Sequence, residues 1–538
     1  MVLPVRLRST WLAICITAVL LTACQGSTSS HAGKSTPVTI APSATATTIP
    51  MTATTACAVP GQSDTTVTIP LANQGIVSQM MLSTNLGSVH ELIPATDKIP
   101  LAATKILQEW NPPLVRLHMG FAYGDKSLPE FQQGNWDIQQ LDDVIAQLRA
   151  KNITFYLSIS SGPPWMYDAN GQLRDQSFQE FARYAARLVG WYNKGGFTDE
   201  AGQYHASGHT DWIHYWEVWN EPNSGYEIPA PVKNPGATWM EGDAFARLWN
   251  VAVHAMRAID PTIIAGGPTI SSYPDIPYLQ RFIGNVTEPL GFLSMHYYAI
   301  GNQQDSDATI FAAANGPRFI DRIIAAKQIL AQDKPGQNIP IWIDEFGGNE
   351  IARGAPDPRG TATLAYAFTS QVFTMSEYQG IGLISQYTLI ASPQLGLISN
   401  GTAQTFPIYY YHLLLSRLFA PGITLLPVQI ANGSNIIAMA AIAPDHMSLR
   451  LLIGNLQVAN ASDNNGIGVA RTVHLQLTGQ LLDGATFDKS GVTWHYDATS
   501  PKNSVPTPCN SQITAANTVD VTVGGYGATI VSIPLHRP

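Results

Sequence analysis

Two apolar stretches of this chain end abruptly in a glutamate, and they limit the folds that the chain can adopt. Residues 215–221 read YWEVWNE and precede a proline, while residues 341–345 read IWIDE and precede Phe-Gly. Aromatic and β-branched runs of this length are typical of buried parallel strands, and Pro or Gly ends such a strand. Side chains at the carboxyl ends of parallel strands face the ligand cleft. We therefore expect Glu221 and Glu345 to meet in one cleft.

The order of the apolar runs predicts a (β/α)8 TIM barrel over residues 80–420. Eight short runs alternate with amphipathic segments, as in repeated βα units. A doubly wound open sheet is the alternative, but no G-x-G-x-x-G follows the first strand, and strands four and seven converge only across a closed barrel. The predicted strands are Met81–Leu86, Leu114–Met119, Ile153–Ser160, Tyr215–Asn220, Ile263–Gly267, Phe292–Tyr298, Ile339–Glu345 and Leu383–Thr388. The predicted helices include Asp137–Ala150, Phe178–Asn193, Ala244–Ile259, Phe319–Gln332, Ala362–Tyr378 and Tyr409–Leu418.

Residues 421–538 have a different texture, with short alternating runs separated by Asn, Gly, Asp and Ser turns. This pattern predicts an accessory antiparallel β-sandwich. The segment 57–79 contains a further alternating run, Thr65–Leu71, that precedes the first barrel strand. We assign that segment to the sandwich.

The N-terminus predicts export. Two arginines precede a short apolar run, and residues 21–24 read LTAC, which has the form of a bacterial lipobox with Cys24 as the lipidated residue. An ordinary signal peptide with an incidental cysteine is the alternative. Residues 25–56 are rich in Ser and Thr and predict a flexible linker. The expected location is extracytoplasmic, as a surface lipoprotein or a secreted protein, with the lipid on Cys24 as the only link to a membrane.

Composition and cysteine usage limit the partners. A net charge of −9 without a basic cluster argues against nucleic acid. Outside the predicted signal, Cys57 and Cys509 are the two cysteines that remain, and in an oxidising compartment we expect them to form a disulfide. Two separate buried thiols are the alternative. No metal-binding spacing occurs, and the chemistry below requires no cofactor.

Paired carboxylates at two strand ends suit hydrolysis of a glycosidic bond with retention, which needs the two groups only ~5–5.5 Å apart. Glu221 is the candidate acid/base, its pKa raised by burial and by the charge opposite; we expect Pro222 to keep it extended. Glu345 is the candidate nucleophile. Strand alternation directs its rival, Asp344, into the barrel wall or layered core. Asn220 would bind the sugar 2-hydroxyl. A strand-end salt bridge is the alternative reading of Glu221.

The run WEVWNEPN at 216–223 resembles the acid/base strand of clan A glycoside hydrolases, most closely family 39, which contains β-xylosidases and α-L-iduronidases. The resemblance extends in outline over the barrel and includes an accessory sandwich. It implies a (β/α)8 barrel, Glu221 as acid/base after strand four, Glu345 as nucleophile on strand seven, and retention of anomeric configuration.

Further positions match clan patterns on strands two and six. Arg116 resembles the arginine that keeps the nucleophile ionised, although it could instead pair with Glu217 or be a buried structural arginine. His118 resembles a sugar-contacting histidine, with a core histidine as the alternative. His296 and Tyr298 fit a His-x-Tyr pattern whose tyrosine faces the nucleophile, and the intervening tyrosine stays open as the inward one.

Two departures from the clan concern the sugar platform and the nucleophile strand. Strand eight reads SQY where many members place a tryptophan, so Tyr387, or Trp165 after strand three, would stack on the sugar. The IDEFG string is closer to family 5 than to common family 39 strings. Membership of the clan is thus better supported than membership of the family.

The sequence as a whole predicts a retaining glycoside hydrolase acting on plant- or microbe-derived oligo- or polysaccharides. An exo-acting β-glycosidase such as a β-xylosidase is the leading interpretation. The alternatives are an endo-acting glycanase of the same clan and a non-catalytic carbohydrate-binding lipoprotein.

Overall fold

Eight parallel strands close into a barrel in this computed structural model, which describes residues 49, 51–58, 61, 63–72, 75–120, 128–224, 240–272, 275–350, 355–431, 435–481 and 483–537. Each strand pairs with the next in chain order and the eighth with the first. This confirms the predicted TIM barrel. The strands are Met81–Leu86, Val115–Met119, Phe155–Ile159, Tyr215–Val218, Ile264–Ile270, Phe292–Ile300, Ile341–Asn349 and Leu383–Gln386.

Helices cover the outside of the barrel. They are Lys98–Trp110, Gln139–Ala150, Gln179–Asn193, Gly242–Ile259, Ile276–Asn285, Asp307–Ala313, Ile320–Asp333, Thr363–Tyr378 and Pro407–Leu418, with short 3₁₀ turns at Val89–Glu91, Pro164–Met166 and Pro358–Gly360. All six helices named from the sequence are present within a few residues of their expected ends. A hairpin of Lys194–Thr198 and Tyr204–Thr210 follows the third of them.

The barrel interior changes from aromatic to polar along its axis. Near the strand starts, Phe292 stacks on Trp342 with ring centroids 3.6 Å apart, and Tyr156 meets the same tryptophan edge-on at 5.4 Å. These apolar rings fill the base of the barrel, as in other packed (β/α)8 cores. The charged residues described below lie further along the same strands.

Besides the barrel, the chain forms a sandwich of two β-sheets. One sheet contains Ile76–Val77, Thr424–Leu426, Ile436–Ile442, Ser448–Asn455, Ala528–His536, Ser490–Tyr496 and Cys509–Gln512, with Thr486–Phe487 paired to its long C-terminal strand. The other contains Gln429–Ile430, Thr65–Pro70, Arg471–Thr478 and Thr518–Val523. Apolar side chains of both sheets, such as Val67, Leu451 and Leu475, share one core.

The N-terminal strand Thr65–Pro70 lies in this sandwich, where its sequence pattern had placed it. Its pairing with Arg471–Thr478 is parallel, whereas the other pairings between the strands named above are antiparallel. A strand that arrives from before the barrel is not constrained by a hairpin turn, so it can pair in either direction.

Barrel and sandwich belong to one compact unit, Thr45–Pro538. The larger sheet packs on helix Thr363–Tyr378, and a Cβ added at Gly454 would lie 2.7 Å from the Cβ of Ser370. The glycine therefore permits the close approach of sheet and helix. Cys57 and Cys509 form a disulfide, which confirms the predicted pairing and ties the N-terminal segment to the sandwich.

No helix within the described residues has both the length and the apolar character needed to cross a membrane. The predicted signal peptide, most of the linker and Cys24 lie outside the described residues.

Candidate active site

Arg116, on the second strand, is a fully buried guanidinium that binds several side chains at once. Its Nε and Nη2 lie 2.7 and 2.6 Å from Glu217 Oε2. Nη1 donates to Glu345 Oε1 over 2.6 Å, and Nη2 donates to Asn220 Oδ1 over 2.7 Å. The sequence left open whether Arg116 pairs with Glu217 or with Glu345, and the structure joins it to both. Since a guanidinium stays protonated, it is a permanent positive charge in the barrel.

Glu345 accepts a hydrogen bond at each carboxylate oxygen. Arg116 donates to Oε1, and the Tyr298 hydroxyl donates to Oε2 over 2.7 Å. Burial alone would raise the pKa of Glu345, but the nearby His296, His118 and Arg116 outweigh it and hold that pKa well below its ordinary value; at pH 7, where both histidines are neutral, Arg116 supplies the positive charge. A carboxylate held in this way is ionised at neutral pH and can act as a nucleophile.

A β-bulge in the seventh strand brings two consecutive acidic residues into the barrel. The register with strand six passes from Met295 opposite Ile343 to His296 opposite Glu345 and skips Asp344. Neighbouring residues of a regular strand point to opposite faces, and a bulge removes that constraint. Asp344 is fully buried in the layered core, with Oδ2 3.6 Å from the Nε of Arg116.

Glu221 follows a strand that ends at Val218, and its backbone is left-handed. The φ angle is 40° at Glu221 and 73° at Trp219. The expectation that Pro222 keeps Glu221 extended is therefore wrong. The Glu221 amide donates to the carbonyl of Thr269 on strand five over 3.0 Å, a tertiary bond that overrides the local preference. Non-glycine residues in this region cost on the order of 1–3 kcal/mol and cluster at functional sites.

The environment of Glu221 favours its protonated form. Burial raises the pKa of Glu221 to about 8, and the negative charge of Glu345 contributes to the increase. Ser224 Oγ donates to Glu221 Oε2 over 3.1 Å and offsets part of it. At neutral pH the site therefore holds one carboxylic acid and one carboxylate, which is the division of roles that paired-carboxylate catalysis requires.

His296, on the sixth strand, contacts both carboxyl groups with one nitrogen. Its Nδ1 lies 2.8 Å from Glu221 Oε1 and 3.5 Å from Glu345 Oε2. The two oxygens are therefore at most about 6.3 Å apart, the sum of these distances. Burial lowers the pKa of His296 to about 4, so its ring is neutral at pH 7.

Asn220 and His118 also contact Arg116. The bond from Arg116 to Oδ1 of Asn220 turns the amide oxygen toward the guanidinium. His118 Nε2 lies 2.7 Å from Arg116 Nη1 and 3.3 Å from Glu345 Oε1. Because a guanidinium only donates, His118 Nε2 accepts and its Nδ1 carries the proton toward Ser160 Oγ, 3.0 Å away. The structure thus places both residues beside the carboxylates.

The two tyrosines of strand six have separate positions. Tyr298 donates to Glu345, as described above. Tyr297 packs between helices outside the barrel, with its ring centroid 4.4 Å from Phe319 and 6.1 Å from Phe368. The inward tyrosine is therefore Tyr298, the alternative that the sequence pattern favoured.

The two candidates for a sugar platform differ in position. Tyr387 follows the eighth strand, and its ring meets His118 edge-on with centroids 5.9 Å apart, so it lies at the site. Trp165 donates from Nε1 to the carbonyl of Glu130, and the guanidinium of Arg174 lies 5.0 Å from its ring centroid. With one face covered by Arg174, Trp165 is the less suitable platform.

Sequence reasoning missed three residues of the site. Asn85, at the end of the first strand, donates to the carbonyl of Asp344 over 2.9 Å and could have been noticed as a polar residue in an apolar run. Ser224 binds Glu221. Glu350 lies beyond strand seven, where burial and the charge of Glu221 raise its pKa to about 7. No local pattern marks the last two, because loop contacts depend on the closed barrel.

Among the described residues, one group has ligand atoms close enough together to hold a metal ion: Cys57, Cys509 and His495. Its two sulfur atoms are joined in the disulfide. This group lies in the sandwich and takes no part in the carboxylate site.

Comparison with known proteins supports a glycoside hydrolase, the class that the fold and the site indicate. The family model described as Glycosyl hydrolases family 39 matches residues 201–387, a range that includes both Glu221 and Glu345. No curated protein matches the sequence.

Solved structures share the fold at low sequence identity. A GH39 enzyme from Xanthomonas axonopodis pv. citri has a TM-score of 0.59 at 14% identity, covering 88% of this chain and 98% of its own. A GH51 α-L-arabinofuranosidase from Thermotoga petrophila RKU-1 has a TM-score of 0.58 at 15% identity, with coverages of 87% and 100%. A monomeric β-xylosidase from Caulobacter crescentus CB15 has a TM-score of 0.56 at 12% identity, with coverages of 87% and 99%.

Barrel, carboxylate pair and family match together define a glycoside hydrolase. Within that class, residues 201–387 resemble family 39, and the solved neighbours share the fold. These findings support an enzyme rather than the alternative of a non-catalytic carbohydrate-binding lipoprotein.

Proposed function

We propose that this enzyme cleaves O-glycosidic bonds with retention of configuration by double displacement. Glu221 protonates the glycosidic oxygen while Glu345 attacks the anomeric carbon, so the bond to the leaving group breaks as the glycosyl ester forms. Glu221, now a carboxylate, then takes a proton from water. That water attacks the same carbon and releases the sugar from Glu345.

The observation that supports this proposal most strongly is the shared contact of Glu221 and Glu345 with one nitrogen of His296. Inverting enzymes keep their carboxyls ~6.5–9.5 Å apart to fit a water molecule, whereas retaining enzymes need ~5–5.5 Å. An upper limit of about 6.3 Å between the facing oxygens is below the inverting range.

The surrounding residues have roles that fit this mechanism. Arg116 and Tyr298 keep Glu345 ionised and oriented before attack. Asn220, held by Arg116, is placed to bind the sugar 2-hydroxyl, a contact that strengthens as the oxocarbenium-like transition state forms. Tyr387 offers an aromatic face to the sugar ring.

The substrate proposed is a neutral saccharide, cleaved from one end as by a β-xylosidase. The donors of Arg116 already bind Glu217, Asn220, Glu345 and His118, so they are not available to a uronate carboxylate. The β-xylosidase named above shares the fold. Oligosaccharides of graded length separate this proposal from endo cleavage: an exo enzyme releases monosaccharide from the first time point, whereas mixed oligomers would indicate a glycanase.

A bell-shaped pH dependence of kcat/KM is expected, with its alkaline limb near pH 8. Glu221 must be protonated to donate, and burial raises its pKa to about 8. Glu345 must be ionised, so the acid limb lies well below pH 4.5. Glu221→Ala should lose ~10²–10⁴-fold on substrates whose leaving group needs a proton. With a dinitrophenyl glycoside it should lose the alkaline limb, and with azide it should form the glycosyl azide of retained configuration.

The matched control is Glu350→Gln, because Glu350 is a second nearby carboxyl with a pKa of about 7. The control variant should keep an alkaline limb. If the limb survives in Glu221→Ala or disappears in Glu350→Gln, the acid/base assignment is wrong.

We also propose that the enzyme is exported and anchored by lipid on Cys24. The lipobox-like LTAC sequence and a disulfide typical of oxidising compartments support this location. Metabolic labelling with a fatty acid should mark the wild type and not Cys24→Ser. Equal labelling of both would contradict the anchor.

A further inference from the structure

Of the buried polar atoms without a hydrogen-bond partner among the described residues, four belong to three neighbouring side chains inside the barrel. They are Glu217 Oε1, both carboxyl oxygens of Asp344, and Nε2 of His296. An unpaired buried polar atom typically costs about 1–3 kcal/mol, so four in one cluster require an explanation.

The four atoms belong to side chains that face one another. Asp344 Oδ1 lies 3.8 Å from His296 Nε2, a gap too long for a hydrogen bond and too short for a bridging water. Asp344 Oδ2 and Glu217 Oε2 both face Arg116 Nε, at 3.6 and 2.7 Å. The carboxyl of Asp344 therefore lies beside both His296 and Glu217.

The charges around Arg116 indicate where a proton lies. Three buried carboxyls, Glu217, Asp344 and Glu345, surround this one guanidinium. Glu217 and Glu345 each have an oxygen 2.6 Å from it, whereas the nearest Asp344 oxygen is 3.6 Å away. Burial and the charge of Glu217 raise the pKa of Asp344 well above its ordinary value. The least compensated carboxyl is thus the one that keeps its proton.

We propose that Asp344 is a positioning residue that acts as a neutral carboxylic acid, donating to Glu217 and accepting from His296 Nε2, and so fixes the tautomer of the histidine that contacts the acid/base. This inference rests on the proposed role of Glu221. With the proton on Nε2, His296 Nδ1 presents a lone pair to Glu221 Oε1, 2.8 Å away. That lone pair accepts the hydrogen bond of protonated Glu221. All four unpaired atoms then have partners.

The tautomer matters because each form stabilises a different state of Glu221. A proton on Nδ1 would donate to the Glu221 carboxylate and lower the pKa of Glu221. A lone pair on Nδ1 instead favours protonated Glu221. The first step needs Glu221 in that form, and in the second step Glu221 must take up a proton again. The bulge that inserts Asp344 into the barrel therefore assists catalysis without touching the substrate.

Several titratable or charged groups face His296 and enter any pH measurement. They are Glu217 from strand four, Glu221 just after it, Asp344 and Glu345 from strand seven, Arg116 from strand two, Arg322 from helix Ile320–Asp333, and Glu350 beyond strand seven. Arg322 donates from Nη1 to the carbonyl of His296 over 2.9 Å and acts on either tautomer alike.

The test compares Asp344→Asn with Asp344→Leu. An amide can donate to Glu217 and accept from His296, as the neutral acid does, whereas leucine has a similar shape and can do neither. The Asn variant should keep the alkaline limb of the kcat/KM profile at its wild-type position. In the Leu variant the alkaline limb should lie about one pH unit lower. At pH values above the limb, kcat/KM should therefore be about tenfold lower than in the wild type. If Asn moves the limb as far as Leu, the charged form of Asp344 is the functional one, and the proposal is wrong.

A second measurement reads the tautomer without substrate. In protein labelled with ¹⁵N-histidine, a His296→Gln variant identifies the His296 signals among the 13 histidines. Wild type and Asp344→Asn should show the proton on Nε2, while Asp344→Leu should populate Nδ1–H. A wild-type proton on Nδ1 would overturn the proposal. This measurement does not depend on hydrolysis, so it can test the role of Asp344 even if the proposed function is wrong. If the Leu variant does not fold, the tautomer observed in the wild type still tests the proposal.

Discussion

Glu345→Gln should reduce kcat about 10⁵-fold, within the range found when a catalytic nucleophile is removed. An amide of the same shape keeps an acceptor for Arg116, but it cannot form the glycosyl ester through which double displacement proceeds. Steady-state hydrolysis of an aryl glycoside measures the loss, and thermal unfolding shows whether the fold survives.

The matched control for this variant is Glu288→Gln. Glu288 is a carboxyl remote from the barrel interior that pairs with the exposed His254 at 2.9 Å. The Glu288→Gln variant should have the same activity as the wild type. If Glu345→Gln retained more than about one part in a hundred of the wild-type rate, covalent catalysis by Glu345 would be excluded.

Arg116→Met should be the most destabilising single change in the site and should also inactivate the enzyme. It leaves Glu217 and Glu345 buried without their cation, and breaking a buried pair typically costs about 3–5 kcal/mol. The folded pKa of Glu345 is lowered, so its stabilising effect is present above its unfolded pKa and is lost as the pH falls toward the folded one. Denaturant unfolding at pH 7 therefore measures the full effect.

The residual activity of this variant should show the acid limb of kcat/KM at higher pH, because the pKa of Glu345 rises once Arg116 is absent. Arg116→Lys is the informative comparison. It keeps a charge but cannot reach Glu217, Asn220 and Glu345 together, so intermediate losses are expected. A Met variant within about 1 kcal/mol of wild-type stability would show that Arg116 does not hold the carboxylates as the geometry indicates.

The barrel was predictable because its strands are buried on both faces and read as continuous apolar runs. The same runs placed Glu221 and Glu345 at strand ends, and barrel closure then fixed their meeting. Both predictions depend on which segments are buried and in what order they occur, and the apolar pattern of the sequence shows this directly.

Local conformation within the site was less predictable. Alternation along strand seven allows only one of Asp344 and Glu345 to face inward, and the bulge that admits both comes from its register with strand six. Likewise, the pre-proline preference at Glu221 is overridden by a bond to Thr269 on another strand. Both features depend on pairing partners that lie far away in the sequence.

The choice between Tyr387 and Trp165 required the structure for a related reason. Both are aromatic residues after barrel strands, and the sequence does not show that Arg174 covers one face of Trp165. Contacts between loops are determined by the assembled barrel rather than by either loop alone.

Trapping the covalent intermediate tests the mechanism most directly. A 2-deoxy-2-fluoro glycoside with a good leaving group slows both steps and lets the glycosyl enzyme accumulate, and peptide mass spectrometry then locates the sugar. We predict time-dependent inactivation with one sugar attached to Glu345. A sugar found on Asp344, Glu221 or any other residue would contradict the assignment.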